Sequence, residues 1–284
     1  MKRKNIAYQC ALLALTILVF AGYLVFRQVR ADHTGPEISV SGGIPEVSVR
    51  DPQDTYLQGV TAKDDRDGDV TDRMLVESVY GITEDHQATV TYAAFDRAGN
   101  VTKAQRQIRF TDYHSPRFTL EQALVFPSTS GLDVMDYIGA RDVIDGDMIH
   151  RVRATLISNS GTLSDVGVHD VKLQVTNSLG DTAQLVLPVE VYEPEKYNAS
   201  LELETYLVYL PAGASFDAES YLVSVTFGDI TRSLKTIPED VSVSVAHSVR
   251  MQEPGVYPVS YTVRCTRNGS AYTAYSRLFV VVEE

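Results

Sequence analysis

Hydrophobic and polar positions follow two different patterns along the chain. Residues 6–26 are an uncharged, mostly apolar run of 21 positions, close to the length that crosses a bilayer as a helix. Beyond residue 36, apolar residues occur in short alternating stretches rich in Val, Thr, Tyr and Ile and bounded by Gly, Pro, Asn and Asp. A period of two is typical of strands with one buried face. The pattern therefore predicts one apolar helix followed by an all-β body.

Basic residues flank the apolar run on both sides. Lys2, Arg3 and Lys4 precede it, and Arg27 and Arg30 follow it. This distribution favours an uncleaved signal-anchor within residues 1–30, with a short cytoplasmic tip and the body outside the cell. A cleaved signal peptide is the alternative, although its apolar core is usually only about 7 to 15 residues long.

The body contains one unit three times, with a period of roughly 80 to 90 residues. Each unit has a Gly-Asp turn and, later, two alternating strands joined by a polar turn. Short Pro-containing linkers separate the units. A hairpin cannot stand alone, so each unit needs a second sheet, which predicts tandem sandwich domains. We assign domain 1 to residues 31–113, domain 2 to 114–194 and domain 3, the most divergent, to 195–284.

The best preserved motifs lie in domain 1. They are "AKDDRDGDVT" at 62–71 and "VTYAAFDRAGNVTKAQRQIRF" at 90–110. They resemble the bacterial surface immunoglobulin-like repeat domains of the DUF5011 and HYR-like type, which have a DGDVT turn and a YxAxDxAGN hairpin. Domain 2 departs from this pattern at Leu173 and Asn177. The resemblance implies an immunoglobulin-like β-sandwich in a cell-surface protein, acting as a spacer or adhesion module, and it supplies no catalytic residue.

The charge distribution is strongly asymmetric. Five of the 25 Lys and Arg residues lie in residues 1–30, whereas all 37 Asp and Glu residues lie beyond them. The body therefore has a net charge of about −17, which would repel phosphate backbones and argues against nucleic acid as a partner. Such a surface suits divalent cations or basic partners, or it serves only to keep the protein soluble.

An aspartate-rich turn is the main candidate for a cofactor site. Calcium takes six to eight oxygen ligands, mostly from carboxylates and carbonyls. Asp64, Asp65, Asp67 and Asp69, joined by Asp96 from the later hairpin, would supply several if the two loops meet. The spacing does not fit an EF-hand loop. We treat these five residues as a candidate calcium site, and we predict no obligatory cofactor.

The repeats also support a purely structural interpretation of the turn. Domain 2 keeps Asp142, Asp145 and Asp147 but has Val143 where domain 1 has Asp65, and domain 3 keeps only Gly228 and Asp229. What all three share is Gly-Asp followed by an apolar residue. Glycine permits positive φ, and aspartate accepts hydrogen bonds from nearby backbone N–H groups. The minimal motif is therefore turn chemistry.

Other candidate residues are few. Tyr206 and Tyr209, three positions apart, are expected on opposite faces of a strand, which would leave one ring exposed for a protein or glycan ligand. His169 and Asp170 are adjacent, so their side chains should point to opposite faces and form no catalytic pair. Cys265 alternates with apolar residues and is expected in the core. No catalytic residue is assigned.

These observations predict a non-catalytic, single-pass protein of the cell membrane. Residues 6–26 would hold it in the bilayer, and its extracellular body would be a tandem immunoglobulin-like stalk with an adhesion or ligand-binding role. One alternative is a carbohydrate- or cell-wall-binding accessory protein of an envelope enzyme system. An unrecognised hydrolase is a further alternative.

Overall fold

The computed structural model describes residues 2–83, 85–129, 131, 133–157 and 162–284. Helix α1 spans Lys2–Arg30, and its segment Ala11–Arg30 is long and apolar enough to cross a membrane. None of that segment is buried against the rest of the protein. Signal sequences and some soluble proteins contain helices of the same kind.

Seven strands form domain 1. A three-stranded sheet has the order β1-β3-β4, and a four-stranded sheet has the order β2-β7-β6-β5. Strand β2 runs parallel to β7, and the other pairs are antiparallel. The strands are β1 (Glu37–Val40), β2 (Glu46–Val47), β3 (Val60–Asp64), β4 (Gly68–Asp69), β5 (Met74–Tyr80), β6 (Gln87–Phe95) and β7 (Val101–Phe110).

Domain 2 repeats this topology strand for strand. Its sheets have the orders β11-β10-β8 and β12-β13-β14-β9, and β9 runs parallel to β14. The strands are β8 (Arg117–Leu120), β9 (Val125–Pro127), β10 (Ile138–Asp142), β11 (Gly146–Asp147), β12 (Arg153–Leu156), β13 (Gly167–Thr176) and β14 (Thr182–Tyr192).

Domain 3 has the same arrangement, with sheets β15-β17-β18 and β16-β21-β20-β19 and with β16 parallel to β21. The fold is therefore three tandem immunoglobulin-like β-sandwich domains after one apolar helix, as the sequence predicts. The strands are β15 (Ser200–Leu203), β16 (Leu207–Pro211), β17 (Leu222–Phe227), β18 (Ile230–Ser233), β19 (Val241–His247), β20 (Gly255–Arg267) and β21 (Ser270–Glu283).

Alternation along the long strands places the core. In β20, Val259, Tyr261, Val263 and Cys265 are all buried, which confirms the expected core position of the cysteine. Burial raises the pKa of the Cys265 thiol, as expected for a cysteine with a packing role. Two sheets that each bury one face enclose such a core.

Glycine at the repeated turn has the backbone conformation that the sequence predicts. Gly68, Gly146 and Gly228 all have positive φ, at 77°, 70° and 56°. L-residues with a side chain rarely adopt this region, which explains why the three turns keep glycine.

The chain divides into two compact units, one ending at Asp112 and the other comprising Tyr113–Glu284. Within the second unit, domains 2 and 3 share a hydrophobic core. Leu207 and Phe279, on strands of domain 3, belong to the same buried cluster as Leu173 and Leu187 of domain 2. These two domains therefore pack as one body.

Candidate functional site

Three carboxylates from separate segments of the first unit meet. Asp32 follows α1, Asp64 is the last residue of β3, and Asp96 opens the turn between β6 and β7. One oxygen of each lies within 4.8 Å of the corresponding oxygens of the other two. Asp64 is 3% exposed and Asp96 is 5% exposed. Clustered carboxylate oxygens are the ligands that hard cations such as Ca²⁺ prefer.

The turn between β3 and β4 holds Asp64 in place. Its Oδ1 accepts hydrogen bonds from the backbone N–H groups of Arg66 and Asp67, both at 2.8 Å. Its Oδ2 is buried and has no hydrogen-bond partner within the described part of the chain. A buried acceptor without a partner loses its hydration without compensation, which destabilises the folded state. The Oδ2 atom is thus an available ligand oxygen.

Asp96 is oriented by Asn100, four residues further along the same turn. The Asn100 backbone N–H donates to Asp96 Oδ1 at 2.7 Å, and the Asn100 side-chain amide donates to Oδ2 at 2.6 Å. Burial alone would raise the pKa of the Asp96 carboxyl, but the hydrogen bonds from Asn100, Gly99 and Ala98 outweigh it and lower that pKa. Asp96 is therefore held as a carboxylate.

The segment after α1 is tied to the same place. The Asn100 amide also donates to the carbonyl oxygens of Asp32 and Thr34, both at 3.2 Å. Arg66 Nε lies 3.4 Å from Asp32 Oδ2, and Arg66 Nη1 donates to the carbonyl oxygen of Arg30 at 2.9 Å. The Arg66 side chain is 55% exposed. Within the described ranges, no ion pair reaches Asp64 or Asp96, so the cluster has a single, solvated counter-charge.

The other predicted ligands have different roles. Asp67 Oδ2 accepts the backbone N–H of Arg97 at 2.5 Å and so joins the two turns. Asp69 Oδ1 accepts the N–H of Thr71 at 2.9 Å, and hydrogen bonds from Thr71 lower the pKa of Asp69. Asp65 is exposed. The structure thus brings Asp64 and Asp96 together as expected but places Asp65, Asp67 and Asp69 outside the group.

Asp32 is the member that sequence reasoning missed. Its linker, DHTGP, shares the spacing Asp-x-x-x-Pro with DYHSP before β8, but only the path of the chain past the two turns brings Asp32 to Asp64 and Asp96. The sequence feature that could point to Asp32 is its position in the chain. The linker before β1 must start at the end of the domain where the β3–β4 and β6–β7 turns lie. Convergence of that kind becomes visible only once the sheet order is known.

The corresponding place in domain 2 has a different set of side chains. Asp142 ends β10 as Asp64 ends β3, and Asn177 opens the β13–β14 turn as Asp96 opens the β6–β7 turn. The third member of the group is Tyr113, in the linker before β8, one position beyond Asp112, the counterpart of Asp32. The Asn177 amide donates to Tyr113 Oη at 2.8 Å and to Asp142 Oδ2 at 3.2 Å. The Tyr113 hydroxyl donates to Asp181 Oδ2 at 2.6 Å.

This network satisfies in domain 2 the oxygen that is left without a partner in domain 1. Asp142 Oδ1 accepts from the N–H groups of Ile144 and Asp145, as Asp64 Oδ1 does in its own turn. Asp142 Oδ2, in contrast, accepts from the Asn177 amide. Burial and the hydrogen bond to Asp181 raise the pKa of the Tyr113 hydroxyl, so it remains a neutral donor.

In domain 3, aromatic side chains lie at the end of β17, the strand that corresponds to β3 of domain 1. Phe227 ends β17, where the first two domains have aspartate, and it packs against Tyr272 with ring centroids 5.7 Å apart. At this place, domain 1 has three carboxylates, domain 2 has a hydrogen-bond network centred on the Asn177 amide, and domain 3 has a pair of aromatic rings.

The two tyrosines proposed for ligand recognition lie where domains 2 and 3 pack together. Tyr209 Oη accepts the N–H of Phe118 at 2.9 Å, and the Arg117 guanidinium lies 5.2 Å from the centre of its ring. Burial raises the pKa of Tyr209 to about 12. Tyr206 packs against the cores of both domains. Neither ring is fully exposed, contrary to the expectation from strand alternation, and Tyr209 joins two domains.

A cleft of about 410 Å³ lies beside Tyr206. It is bordered by residues of both domains, among them Tyr192, Tyr197, Tyr275 and Ser276. The rings of Tyr197 and Tyr275 are stacked, with centroids 5.2 Å apart and planes at 10°. Ser276 is 1% exposed, and its Oγ has no hydrogen-bond partner in the described residues.

The adjacent His169 and Asp170 behave as alternation predicts. His169 is buried, with Nε2 at 2.7 Å from the carbonyl oxygen of Asp165, whereas Asp170 is exposed on the opposite face of β13. The two side chains do not form a pair.

No family model matches the chain, and no curated protein matches it. Similar solved structures include protocadherin gamma B2 extracellular cadherin domains 1–5, at 12% identity and a TM-score of 0.21, with 88% of this chain and 60% of that chain covered. Another contains CBM51-2 in complex with GlcNAc and INT domains from Clostridium perfringens ZmpB, at 15% identity and a TM-score of 0.21, with 88% and 44% covered. The chain therefore spans about 60% of the length of the protocadherin. Identities and TM-scores this low transfer no function.

Proposed function

We propose that this chain is a membrane-anchored, non-catalytic extracellular protein whose immunoglobulin-like domains form a stalk with an adhesion or ligand-binding role. The observation that carries the proposal is α1, an apolar helix followed directly by three β-sandwiches. Its side chains are well exposed, with Leu12 at 71%, Leu18 at 70% and Phe20 at 62%. An exposed apolar surface of this size is unfavourable in water and favourable in hydrocarbon.

The length and flanking charges of α1 agree with this role. At about 1.5 Å per residue, the apolar segment Ala11–Arg30 spans roughly the 30 Å of a bilayer core. Three basic residues precede the apolar run and two follow it, a distribution that favours a cytoplasmic amino terminus. The acidic domains would then lie outside the cell.

Membrane insertion can be tested with charge-insertion variants. Arginine at the centre of a spanning helix is strongly disfavoured, so the double variant Leu15→Arg and Leu18→Arg should shift the chain from the alkali-resistant membrane fraction to the soluble fraction. A matched control places the same charges on exposed residues of domain 2, Val166→Arg and Val168→Arg, and should leave the fractionation unchanged. Equal retention of both variants would contradict the anchor.

Topology is a separate measurement. Protease added to intact cells should remove the domains while leaving a cytoplasmic marker protein undigested. Domains that stay protected until the membrane is permeabilised would contradict an extracellular body, even if α1 remains in the membrane fraction.

The cleft of domains 2 and 3 favours a second candidate function, carbohydrate binding. Aromatic rings beside polar groups provide apolar contact area together with hydrogen-bonding partners, as sugars require. The stacked pair of Tyr197 and Tyr275 borders the cleft together with the polar side chains of Glu202 and Ser224. A glycan and cell-wall polymer array with the full chain in detergent tests it.

Specific binding to that array should weaken in Tyr197→Ala and persist in Tyr80→Ala, which removes an exposed tyrosine of domain 1. Binding that is absent in the wild type, or equal in the two variants, would contradict the carbohydrate function and would leave the anchoring proposal untouched.

A further inference from the structure

The carboxylate cluster of domain 1 accepts hydrogen bonds but has no buried positive charge beside it within the described residues. Buried charges in proteins are paired or bind metals. Two of the three carboxylates are almost completely buried, and the ion pair to Asp32 comes from an exposed arginine. Like charges this close repel each other strongly where water is excluded.

The unpaired oxygen points to what completes the cluster. Asp64 Oδ2 is buried and has no hydrogen-bond partner in the described chain, and the Asp64 carboxylate has an oxygen within 4.8 Å of oxygens of Asp32 and Asp96. The donor side chains at the cluster, Arg66 and Asn100, bond to Asp32 and Asp96, and no donor in the described residues reaches Asp64 Oδ2. A cation would satisfy all three carboxylates at once.

Domain 2 provides an internal comparison. Where domain 1 has three carboxylates, domain 2 has Asp142 with a neutral amide from Asn177 and a neutral phenol from Tyr113. The Asn177 amide donates to Asp142 Oδ2, whereas Oδ2 of the corresponding Asp64 has no partner in the described residues. Between these two corresponding aspartates, the one with the unsatisfied oxygen, Asp64, is thus the one with two further carboxylates beside it.

We propose that Asp32, Asp64 and Asp96 bind one Ca²⁺ ion. The protein donors are all oxygen, with no histidine or cysteine in the group, which favours a hard cation over zinc. Backbone carbonyls and water complete the coordination of Ca²⁺, which tolerates irregular geometry better than Mg²⁺ does.

The ion would fix the segment between the helix and domain 1. Asp32 lies two residues after the end of α1 at Arg30, whereas Asp64 and Asp96 belong to turns of the sandwich. Calcium therefore ties the linker to the domain, in addition to the contacts that Arg66 and Asn100 make with it. Without calcium, the linker depends on those hydrogen bonds alone.

Calorimetric titration of the full chain in detergent micelles, stripped with a chelator, measures the ion directly. We expect one Ca²⁺ per chain with excess Mg²⁺ present, and a thermal unfolding temperature that rises on adding Ca²⁺. Asp96→Asn should lower the affinity by about tenfold or more, because it removes one of three charged ligands while keeping the side chain that domain 2 uses at this position. Asp64→Asn should have the same effect.

The matched control is Asp65→Asn, which removes an exposed carboxylate from the same turn and the same net charge. It should retain the wild-type affinity, and far-UV circular dichroism should show all three variants folded. Wild-type chain that binds no Ca²⁺, or binds it only when Mg²⁺ is absent, would overturn the proposal. Binding that survives both Asp64→Asn and Asp96→Asn, or that Asp65→Asn abolishes, would also overturn it.

Hydrogen exchange tests the tie between helix and domain. Amide protons of residues 31–35 should exchange more slowly with Ca²⁺ than with chelator in the wild type, and at the same rate with and without Ca²⁺ in Asp96→Asn. Bound calcium with no change in this segment would contradict the tie. None of these outcomes depends on membrane insertion, so failure here is distinguishable from failure of the anchor.

Discussion

At the scale of single residues, the first two domains differ by an exchange of charge at one turn. Domain 1 has Asp96 and Asn100 where domain 2 has Asn177 and Asp181, so the amide and the carboxylate trade places. In domain 2 the carboxylate moves away from Asp142 and accepts a hydrogen bond from Tyr113 instead. The backbone bond across the turn is the same in both domains. This exchange places a carboxylate near Asp64 in domain 1 and an amide against Asp142 in domain 2.

Reversing this exchange in domain 2 should destabilise it. Asn177→Asp removes two hydrogen bonds and places a carboxylate against Asp142, so we expect a loss of about 2 to 3 kcal/mol in the free energy of unfolding near neutral pH. Denaturant titration, followed on the unfolding of the unit Tyr113–Glu284 that contains domain 2, measures this free energy. Asn268→Asp, in the exposed turn between β20 and β21, is the control and should stay within about 0.5 kcal/mol.

The pH dependence of that variant has a defined sign. Neighbouring carboxylates raise the pKa of the introduced aspartate above its unfolded value of about 3.9. The folded state is then relatively more stable below that value and loses stability as pH rises through the folded pKa. A destabilisation of Asn177→Asp that is as large at about pH 4 as at about pH 7 would show that charge repulsion is not its cause.

A buried tyrosine of domain 3 makes a hydrogen bond to the backbone that an apolar side chain such as leucine could not make. Tyr261 is fully buried, and its hydroxyl donates to the carbonyl oxygen of Ala218 at 2.8 Å, as Tyr92 does to Tyr56 in domain 1. Tyr261→Phe leaves that carbonyl without this donor and should cost about 1 to 2 kcal/mol of unfolding free energy. Tyr272→Phe, whose ring packs against Phe227, should change it by less than about 0.5 kcal/mol, as measured by denaturant titration.

The same tyrosine makes a prediction at alkaline pH. Burial, followed by nearby Tyr221 and Asp217, raises the pKa of the Tyr261 hydroxyl. Its contribution to stability is complete below the unfolded pKa of about 10 and is lost as pH rises through the folded pKa. The stability difference between wild type and Tyr261→Phe should therefore shrink above about pH 10, and denaturant midpoints measured across this range would show it. A constant difference would contradict the assignment.

At the scale of secondary-structure elements, strand alternation and repeated turns were readable from the sequence. Burial in β20 and positive φ at Gly68 both follow from local chemistry. The sequence predicts Asp64 and Asp96 as site residues because each belongs to a repeated motif. It does not predict Asp32 or the buried position of Tyr209, because these depend on which linker and which neighbouring domain a strand meets. Those contacts are set by sheet order and packing between domains, which no local pattern contains.

One such contact between elements is a buried ion pair. Arg277 on β21 and Glu190 on β14 lie 2.6 Å apart, with side chains 10% and 12% exposed. Among the residues that the structure describes, Arg277→Ala leaves Glu190 with the exposed Lys196 as its one ion-pair partner. Removing one member of a buried pair is strongly destabilising, and with Lys196 remaining we expect a loss of about 2 to 3 kcal/mol.

The control for Arg277→Ala is Arg250→Ala, which breaks a solvent-exposed pair with Glu253 on a loop of domain 3. Exposed pairs contribute little, so this variant should unfold at the wild-type denaturant concentration. Equal effects of the two substitutions would mean that burial of the Arg277 pair does not determine its contribution.

At the scale of the whole molecule, the chain combines one apolar helix, one separate β-domain and a pair of β-domains with a common core. The pairing matters for the proposed carbohydrate function, because residues of both domains border the cleft. A common core also means that domains 2 and 3 should unfold as one cooperative unit, whereas the unit that ends at Asp112 has its own internal contacts.

Phe279 is the residue that tests this cooperativity. It lies on β21 of domain 3, is fully buried and belongs to the core cluster of domain 2. Phe279→Ala should cost about 3 to 5 kcal/mol and should accelerate hydrogen exchange in β13 and β14 of domain 2 as well as in domain 3. The comparison is Val225→Ala, in the core cluster that contains only residues of domain 3. If domains 2 and 3 unfold as one unit, both variants accelerate exchange in β13. If only Phe279→Ala does so, the shared core transmits a local change and the two domains unfold separately, which contradicts the cooperative unit.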